Sequence, residues 1–197
     1  MMHETKIYAV AGYPVMHSRS PKMFNAAFKA LSVDAVYTRL AVTDAREITE
    51  CMREIGIDGL NITSPFKEEI IQYLDMIEAE AERIGAVNTV VNKNGELQGF
   101  NTDGKGVRDA FARNGISLAG MKAVVIGAGG AARAAVFGLL AEGAQVVVCN
   151  RTLERAEKIA RDTGCRASSI ASIDEEMRDV AILVSCLPEV SGRIVEP

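Results

Sequence analysis

The feature that most constrains the fold is a glycine-rich turn between two strand-like runs in the second half of the chain. The turn, Gly-Ala-Gly-Gly-Ala-Ala at residues 127–132, follows a buried-strand pattern at 124–126. A helix-like run to about Leu140 and a second strand-like run at 145–149 come next. This order predicts a βαβ unit of a parallel sheet, in which the glycines allow a ligand to approach the backbone closely.

The same turn predicts a dinucleotide site. A helix N-terminus beside such a turn offers free N–H groups and the positive end of the helix dipole to a phosphate. Sites for NAD carry an Asp or Glu about 20 residues further on, which binds the ribose hydroxyls. Here Asn150, Arg151 and Thr152 follow the second strand, and Arg155 lies one turn later.

Two guanidinium groups and a hydroxyl suit a 2′-phosphate, so we predict NADP as the cofactor. This preference does not follow if Arg151 and Arg155 are ordinary solvated charges at the start of a helix. The predicted cofactor-binding residues are Gly127, Ala128, Gly129, Gly130, Ala131, Asn150, Arg151, Thr152 and Arg155.

The rest of the chain alternates short strand-like runs with helix-like segments. This alternation predicts an α/β fold built on parallel sheets with crossover helices. A length of 197 residues suits one large domain or two small ones. We place a boundary near 103–106, so that residues 1–104 form an N-terminal α/β domain and residues 105–197 form a Rossmann-like NADP-binding domain.

Local signals mark several elements of the first domain. Ser20 is predicted to cap a helix with Pro21 at its first position, and Asp44 with Glu47 is predicted to cap another. The Ser64-Pro65 pair predicts a helix to about residue 74, with Lys67 near its third position, and a shorter helix is expected at 75–84. Asn94-Gly95 predicts the turn of a hairpin at 90–100.

Composition excludes several classes of function. The net charge is −4, and no basic stretch suggests a nucleic-acid partner. The longest apolar runs are too short for a bilayer span of roughly 20 residues. The N-terminus lacks the apolar core of a signal peptide. We therefore expect a cytoplasmic protein with no membrane or nucleic-acid partner. The four cysteines show no metal-ligand spacing, so we expect buried free thiols and no metal site.

Four polar clusters in the first half are not explained by packing. They occupy residues 14–21, 61–67, 85–89 and 101–104, each at the end of a predicted element. Ligand-binding groups collect at element ends in open α/β sheets. Together the clusters supply hydroxyls, amides, one lysine and one aspartate. This set suits a small ligand that carries hydroxyl groups and a carboxylate.

The clusters contain motifs typical of one family. The motifs are Gly12-x-Pro14-Val15-x-His17-Ser18-x-Ser20-Pro21, Asn61-x-Thr63-x-Pro65-Phe66-Lys67, Asn88-Thr89 and Asn101-Thr102-Asp103-x-x-Gly106. With the glycine turn and Asn150-Arg151-Thr152, they resemble the shikimate dehydrogenase family. The resemblance runs in register from about residue 7 to about residue 156.

The resemblance implies a reaction and a set of roles. The reaction is the reversible, NADPH-dependent reduction of 3-dehydroshikimate to shikimate, a step in chorismate and aromatic amino-acid biosynthesis. Ser18 and Ser20 would hold the substrate carboxylate. Thr63, Lys67, Asn88 and Asp103 would bind the ring hydroxyls. Lys67 and Asp103 would also form the catalytic pair, which makes residues 1–104 the substrate-binding catalytic domain.

The same residues also allow other interpretations. Lys67 could be an exposed lysine and Asp103 an ordinary helix N-cap. A quinate/shikimate dehydrogenase would be expected to prefer NAD and to carry an acidic residue in place of Asn150 or Arg151.

The family also runs further at its C-terminus, so the second domain is expected to be truncated. The chain would then be a short form of an ordinary enzyme, a variant completed by association as a homodimer, or an NADP-binding module without turnover.

Overall fold

The computed structural model describes residues 5–187, which divide into two compact units. The division falls between Asn101 and Thr102. The placement of the domain boundary between residues 104 and 105 stays a prediction.

The first unit is built on a six-stranded sheet. Its strands are β1 (Lys6–Gly12), β2 (Ala35–Ala41), β3 (Gly59–Ile62), β4 (Met76–Ile77), β5 (Thr89–Lys93) and β6 (Glu96–Phe100). Its helices are α1 (Ser20–Ala30), α2 (Ala45–Ile55) and α3 (Ala79–Ile84), with a 3₁₀ helix at Glu69–Tyr73. The strand order is β2-β1-β3-β5-β6-β4.

This sheet is mixed, whereas the alternation of elements predicted parallel sheets. β1 runs parallel to β2 and β3, but β5 is antiparallel to β3 and to β6. The predicted hairpin is the cause, because a two-residue turn can join only antiparallel strands. Asn94 and Gly95 both have positive φ, 54° and 93°, as this kind of turn requires.

Side chains alternate between the two faces of this sheet. Ala9, Leu60 and Val90 face a core that includes Ile48 and Met52 of α2. On the opposite face, Val10 and Tyr37 pack with Phe24 and Phe28 of α1. The alternation follows from the two-residue period of a strand.

Helix caps were predicted correctly at α2 and incorrectly at α1. The Asp44 carboxylate accepts from the Arg46 N–H at 2.7 Å, as a cap should. At α1 the N-cap is Arg19, and Ser20 is already helical. The Ser20 N–H donates to Ser18 Oγ at 3.3 Å, so the serine pair bonds locally rather than capping the helix.

The helix predicted from Pro65 is absent. Residues 64–68 form turns, and only the short 3₁₀ helix at Glu69–Tyr73 follows. The Lys67 carbonyl accepts from the Val87 N–H at 2.7 Å, so it serves a long-range contact instead of a helical bond. The helix expected from residue 75 begins only at Ala79, because the Glu78 carboxylate caps it there.

The second unit is built on a parallel four-stranded sheet. Its strands are β7 (Lys122–Ile126), β8 (Gln145–Asn150), β9 (Arg166–Ser169) and β10 (Ile182–Ser185). Its helices are α4 (Asp103–Arg113), α5 (Gly130–Ala141), α6 (Leu153–Thr163) and α7 (Ile173–Glu176), with a 3₁₀ helix at Ile170–Ser172. The order β10-β7-β8-β9 matches the predicted Rossmann-like arrangement. β9 escaped prediction because Arg-Ala-Ser-Ser has no β-branched or aromatic residue.

None of the helices formed by residues 5–187 has both the length and the apolar character that a bilayer span requires.

Two glycines set the distance between α4 and α5. A Cβ added to Gly138 would lie 2.5 Å from the Gly104 carbonyl oxygen, and one added to Gly104 would lie 3.0 Å from the Ala134 carbonyl oxygen. The atoms that would be met belong to the backbone and cannot rotate away. The two helices therefore pack at a distance that only glycine permits.

We predict that Gly138→Ala lowers the free energy of unfolding by about 1–3 kcal/mol, because the added methyl group overpacks the α4–α5 contact. Gly106→Ala is the matched control, since a Cβ at Gly106 of α4 meets no atom within 4 Å. That control should be neutral or stabilising by up to about 1 kcal/mol. Urea unfolding of both variants checks the prediction, and equal stabilities would contradict it.

Candidate functional site

The predicted polar clusters of the first unit come together at one edge of its sheet. Thr63, just after β3, donates its N–H to Ala11 of β1 at 2.9 Å. Ile62 donates to the Asn88 carbonyl at 2.8 Å, and Asn88 donates to the Phe100 carbonyl at 3.0 Å. These backbone bonds join the ends of β1, β3 and β6 to the start of β5. The clusters at 14–21, 61–67 and 85–89, together with Asn101, therefore share this edge.

Ser18, in the loop after β1, lies beside Ser20, the first residue of α1. Ser18 Oγ donates to Ser20 Oγ at 3.2 Å. Arg39 of β2 fixes this loop from outside, since its Nη2 donates to the Ser18 carbonyl at 2.6 Å. Both hydroxyls are half-buried, and a pair of hydroxyl donors this close can bind the two oxygens of one carboxylate.

The start of the serine loop touches the Thr63 loop. A Cβ on Gly12 would lie 2.3 Å from Thr63 Cγ2, and the Tyr13 N–H donates to the Ser64 carbonyl at 3.2 Å. Gly12 therefore allows the two loops to meet. The structure thus joins the Thr63 loop to the start of the loop that carries Ser18.

Two asparagines complete this edge. Asn88 is 7% exposed, and its Oδ1 accepts from the Thr89 hydroxyl at 2.9 Å. Asn101 is buried, and its Nδ2 donates to the Ala86 carbonyl at 2.8 Å. Sequence reasoning placed Asn101 in a motif without assigning it a role. The structure shows that it anchors the loop that carries Asn88.

The catalytic candidates lie in different units. Lys67 is half-buried and belongs to the same edge as Asn88, through the bond from Val87 to the Lys67 carbonyl. Asp103 is the first residue of α4, and Thr102 takes the N-cap position. Asp103 is therefore not the N-cap of α4.

In the second unit, the glycine turn leads into α5 as predicted. The Gly127 N–H donates to the Cys149 carbonyl at 2.9 Å, and Gly127 has a φ of 113°. A side chain at Gly127 would be strained, and it would meet the Cys186 carbonyl oxygen at 3.1 Å. Gly129 is the N-cap and makes no side-chain cap bond. A Cβ at Gly129 would meet nothing within 4 Å, so the space beside the first turn of α5 is open.

Open space at an uncapped helix N-terminus suits a diphosphate. The first N–H groups of a helix have no partner within it, and the helix dipole adds positive potential at the same place. Gly127, Ala128, Gly129, Gly130 and Ala131 all lie at this N-terminus. The structure thus places the predicted pyrophosphate-binding residues together.

The residues predicted to select NADP over NAD begin at Asn150, the last residue of β8, and continue beyond it. Because β7 and β8 are parallel, this strand end shares an edge with the glycine turn. Asn150 Nδ2 donates to the Thr152 carbonyl at 2.8 Å and shapes the turn into α6. Arg151 and Arg155 are exposed, and so is the hydroxyl-bearing Thr152. Glu154, which sequence reasoning did not weigh, stands in the first turn of α6.

An ion pair between a buried arginine and an exposed aspartate ties α5 to α6. Arg133 is 7% exposed, and its Nη2 lies 2.7 Å from Asp162 Oδ2. Arg133 follows the glycine turn directly, and its side chain pairs with Asp162 of the same unit. Sequence reasoning missed this contact, because its partner is far away along the chain.

The cysteines are free but only partly buried. Cys149 of β8 is buried, and burial raises the pKa of its thiol to about 11, with the Glu176 carboxylate adding to the rise. Cys51, Cys165 and Cys186 are half-buried, so the expectation of four buried thiols was wrong for three of them.

Fold and site together define an α/β protein of two units. One unit carries polar loops at one edge of its sheet, and the other carries a glycine turn of the kind that binds dinucleotides. Comparison with known proteins identifies the family. Residues 10–90 match the shikimate dehydrogenase substrate-binding domain, and residues 110–193 match the shikimate/quinate 5-dehydrogenase domain. The chain belongs to the shikimate dehydrogenase family.

Individual relatives agree with this assignment. Shikimate dehydrogenase (NADP(+)) of Methanosarcina acetivorans is 43% identical over 192 residues, which cover 91% of this chain and 68% of that protein. The crystal structure of shikimate dehydrogenase from Aquifex aeolicus superposes with a TM-score of 0.90 at 34% identity, covering 99% of this chain and 75% of that one.

A Thermus thermophilus enzyme was solved with ligands. Its shikimate 5-dehydrogenase, in complex with NADP(H) and shikimate, superposes with a TM-score of 0.82 at 38% identity. The match covers 92% of this chain and 68% of the Thermus chain. This chain therefore spans roughly two thirds to three quarters of the length of the three relatives described.

Proposed function

We propose that this protein is an NADP-dependent oxidoreductase that reversibly reduces 3-dehydroshikimate to shikimate, in the biosynthesis of chorismate and the aromatic amino acids. The observation that carries the proposal is the convergence of the first unit's polar clusters on one sheet edge. That edge carries the paired serine hydroxyls and the loops that hold Thr63, Asn88 and Lys67. Hydroxyls, an amide and an ammonium are groups that can form hydrogen bonds with the carboxylate and the hydroxyls of a polyhydroxylated carboxylic acid.

Each candidate residue has a proposed role on the substrate. Ser18 and Ser20 donate hydrogen bonds to its carboxylate. Thr63, Asn88 and Asp103 bind its ring hydroxyls, and Lys67 shares in this binding. Together these contacts hold the ring in one orientation, so that the reacting groups meet in the geometry that the reaction needs.

Lys67 and Asp103 form the proposed catalytic pair. Reduction of the ketone places negative charge on its oxygen, and Lys67 donates the proton that this oxygen takes up. In the reverse direction the same nitrogen accepts the proton of the alcohol. Asp103 accepts a hydrogen bond from a neighbouring ring hydroxyl and so fixes which carbon reacts.

The second unit fits NADP. The open first turn of α5 would hold the pyrophosphate, and Asn150, Arg151, Thr152 and Arg155 would surround the 2′-phosphate. When bound, the reduced cofactor NADPH would supply the hydride that the carbonyl carbon receives, and NADP would take it back in the reverse direction. A cytoplasmic location, the absence of a nucleic-acid partner and a homodimeric state stay predictions.

The direct test is oxidation of shikimate with NADP, followed by the absorbance of NADPH, with quinate and NAD as comparators. We expect turnover of shikimate with NADP, and much slower turnover when either compound is exchanged. Binding of NADP without turnover would favour the alternative that the protein is an NADP-binding module and not an active enzyme. Equal use of quinate and NAD would favour a quinate/shikimate dehydrogenase.

A further inference from the structure

Thr89, the first residue of β5, has no role in the proposed function but is bonded to a residue that has one. Thr89 Oγ1 donates to Asn88 Oδ1 at 2.9 Å. Asn88 is 7% exposed and Thr89 is half-buried, so this bond is largely sheltered from water. A hydroxyl carries a single proton, and here that proton is directed at the amide oxygen of Asn88.

The Thr89 hydroxyl is also an acceptor, at the end of a series of donors. Asn61 Nδ2 donates to Thr89 Oγ1 at 3.4 Å, and Asn61 Oδ1 accepts from the Tyr37 hydroxyl at 2.6 Å. Burial raises the pKa of Tyr37 to about 12, so this hydroxyl keeps its proton at physiological pH. Within the first unit, donation therefore runs in one direction, from Tyr37 through Asn61 and Thr89 to Asn88.

This direction determines how the Asn88 amide is turned. The oxygen and the nitrogen of an amide are similar in shape, and their hydrogen-bond partners decide which of them lies on which side. If Asn88 were turned over, its nitrogen would face Thr89 Oγ1, and the Thr89 proton would lose its acceptor. If Asn61 were turned over as well, the buried Tyr37 hydroxyl would lose the oxygen that accepts its proton. Because each reversal costs a hydrogen bond, Asn88 Oδ1 stays on Thr89 and Nδ2 is turned away from it.

We propose that Thr89 is a positioning residue for substrate binding: its hydroxyl holds the Asn88 amide so that the nitrogen is the group offered to the substrate and donates to the oxygen of a ring hydroxyl. The inference rests on the proposed function, because that function assigns a ring hydroxyl to Asn88. Thr89 acts only through Asn88. It thereby selects, at this one position of the ring, an oxygen that accepts a hydrogen bond and excludes a group that can only donate, such as an ammonium.

The test removes the Thr89 hydroxyl and keeps the shape of the side chain. In Thr89→Val a methyl group replaces the hydroxyl, so Asn88 loses the bond that fixes its amide. We expect shikimate to bind about threefold to tenfold more weakly, the range of one hydrogen bond. Thr89→Ser keeps the hydroxyl and should bind shikimate like the wild type. Thr38→Val is the matched control, because Thr38 is exposed on β2 of the same sheet, and it should leave the affinity unchanged.

A second readout separates positioning from a general structural effect. Shikimate and a set of deoxy analogues, each lacking one ring hydroxyl, are titrated into each protein by calorimetry. Thr89→Val should weaken binding of shikimate, but it should not weaken binding of the analogue that lacks the hydroxyl bound by Asn88. A structural defect would weaken binding of every ligand alike. Thr89→Ala makes the same test should the valine variant not fold, because it removes the hydroxyl without placing a methyl group against the two amides.

The outcomes are distinguishable. If the wild type binds shikimate but the variant without the hydroxyl binds it equally well, or binds every ligand more weakly by the same factor, the inference is overturned and the proposed function stands. A serine variant as weak as the valine variant overturns it too. If the wild type binds no shikimate, the proposed function fails and the inference fails with it.

Discussion

Lys67→Ala should reduce shikimate oxidation by about 10²- to 10⁴-fold, the usual contribution of a positioned acid–base group. The reason is that no other cation at this edge is proposed to serve the developing alkoxide. NADP binding should be unchanged, since the residues proposed to bind the cofactor all belong to the second unit. Initial rates at saturating shikimate and NADP, with NADP affinity measured separately, check both parts.

Lys93→Ala is the matched control for the lost charge. Lys93 is exposed at the hairpin end of β5, and therefore at the opposite edge of the sheet from Asn88. Its removal should leave the rate within experimental error. If Lys67→Ala kept the wild-type rate in a folded protein, the assignment of Lys67 as proton donor would be wrong.

The double variant Arg151→Ala, Arg155→Ala should bind NADP about tenfold to hundredfold more weakly, because charged hydrogen bonds to the 2′-phosphate are lost. Affinity for NAD, which lacks that phosphate, should stay the same or rise. Titration of both cofactors, monitored by calorimetry, measures the change in preference.

Arg161→Ala controls for general electrostatics. Arg161 is exposed in the last turn of the same helix, α6, and carries the same charge. Its removal should leave the NADP preference unchanged. If the double variant lost NADP and NAD affinity to the same extent, the two arginines would be ordinary surface charges.

Features governed by local chemistry could be predicted from sequence. The positive φ angles at Asn94, Gly95 and Gly127 follow from residue type, so the hairpin and the glycine turn were foreseen. The cap at Asp44 is equally local. Because carboxyl ends of parallel strands share an edge, the clustering of polar loops could also be anticipated.

Features that depend on distant partners could not be predicted. The turn at Lys67 replaces a helix because Val87 occupies the Lys67 carbonyl, and nothing near Pro65 in the sequence signals that contact. The link from Tyr37 to Asn61 joins side chains of β2 and β3 and needs the sheet order to be known. Sequence motifs named the site residues but not the groups that hold them.

The close contact of α4 with α5 has a consequence for exchanging cofactor-binding halves between relatives. Asp103 begins α4, and Gly104 in its first turn packs against the helix that follows the glycine turn. Asp103 therefore belongs to the dinucleotide-binding half and would be transferred with it. A chimera joined between Asn101 and Thr102 would inherit α4 packed on its own α5, whereas a junction after α4 would pair helices from two relatives across a contact that only glycine permits.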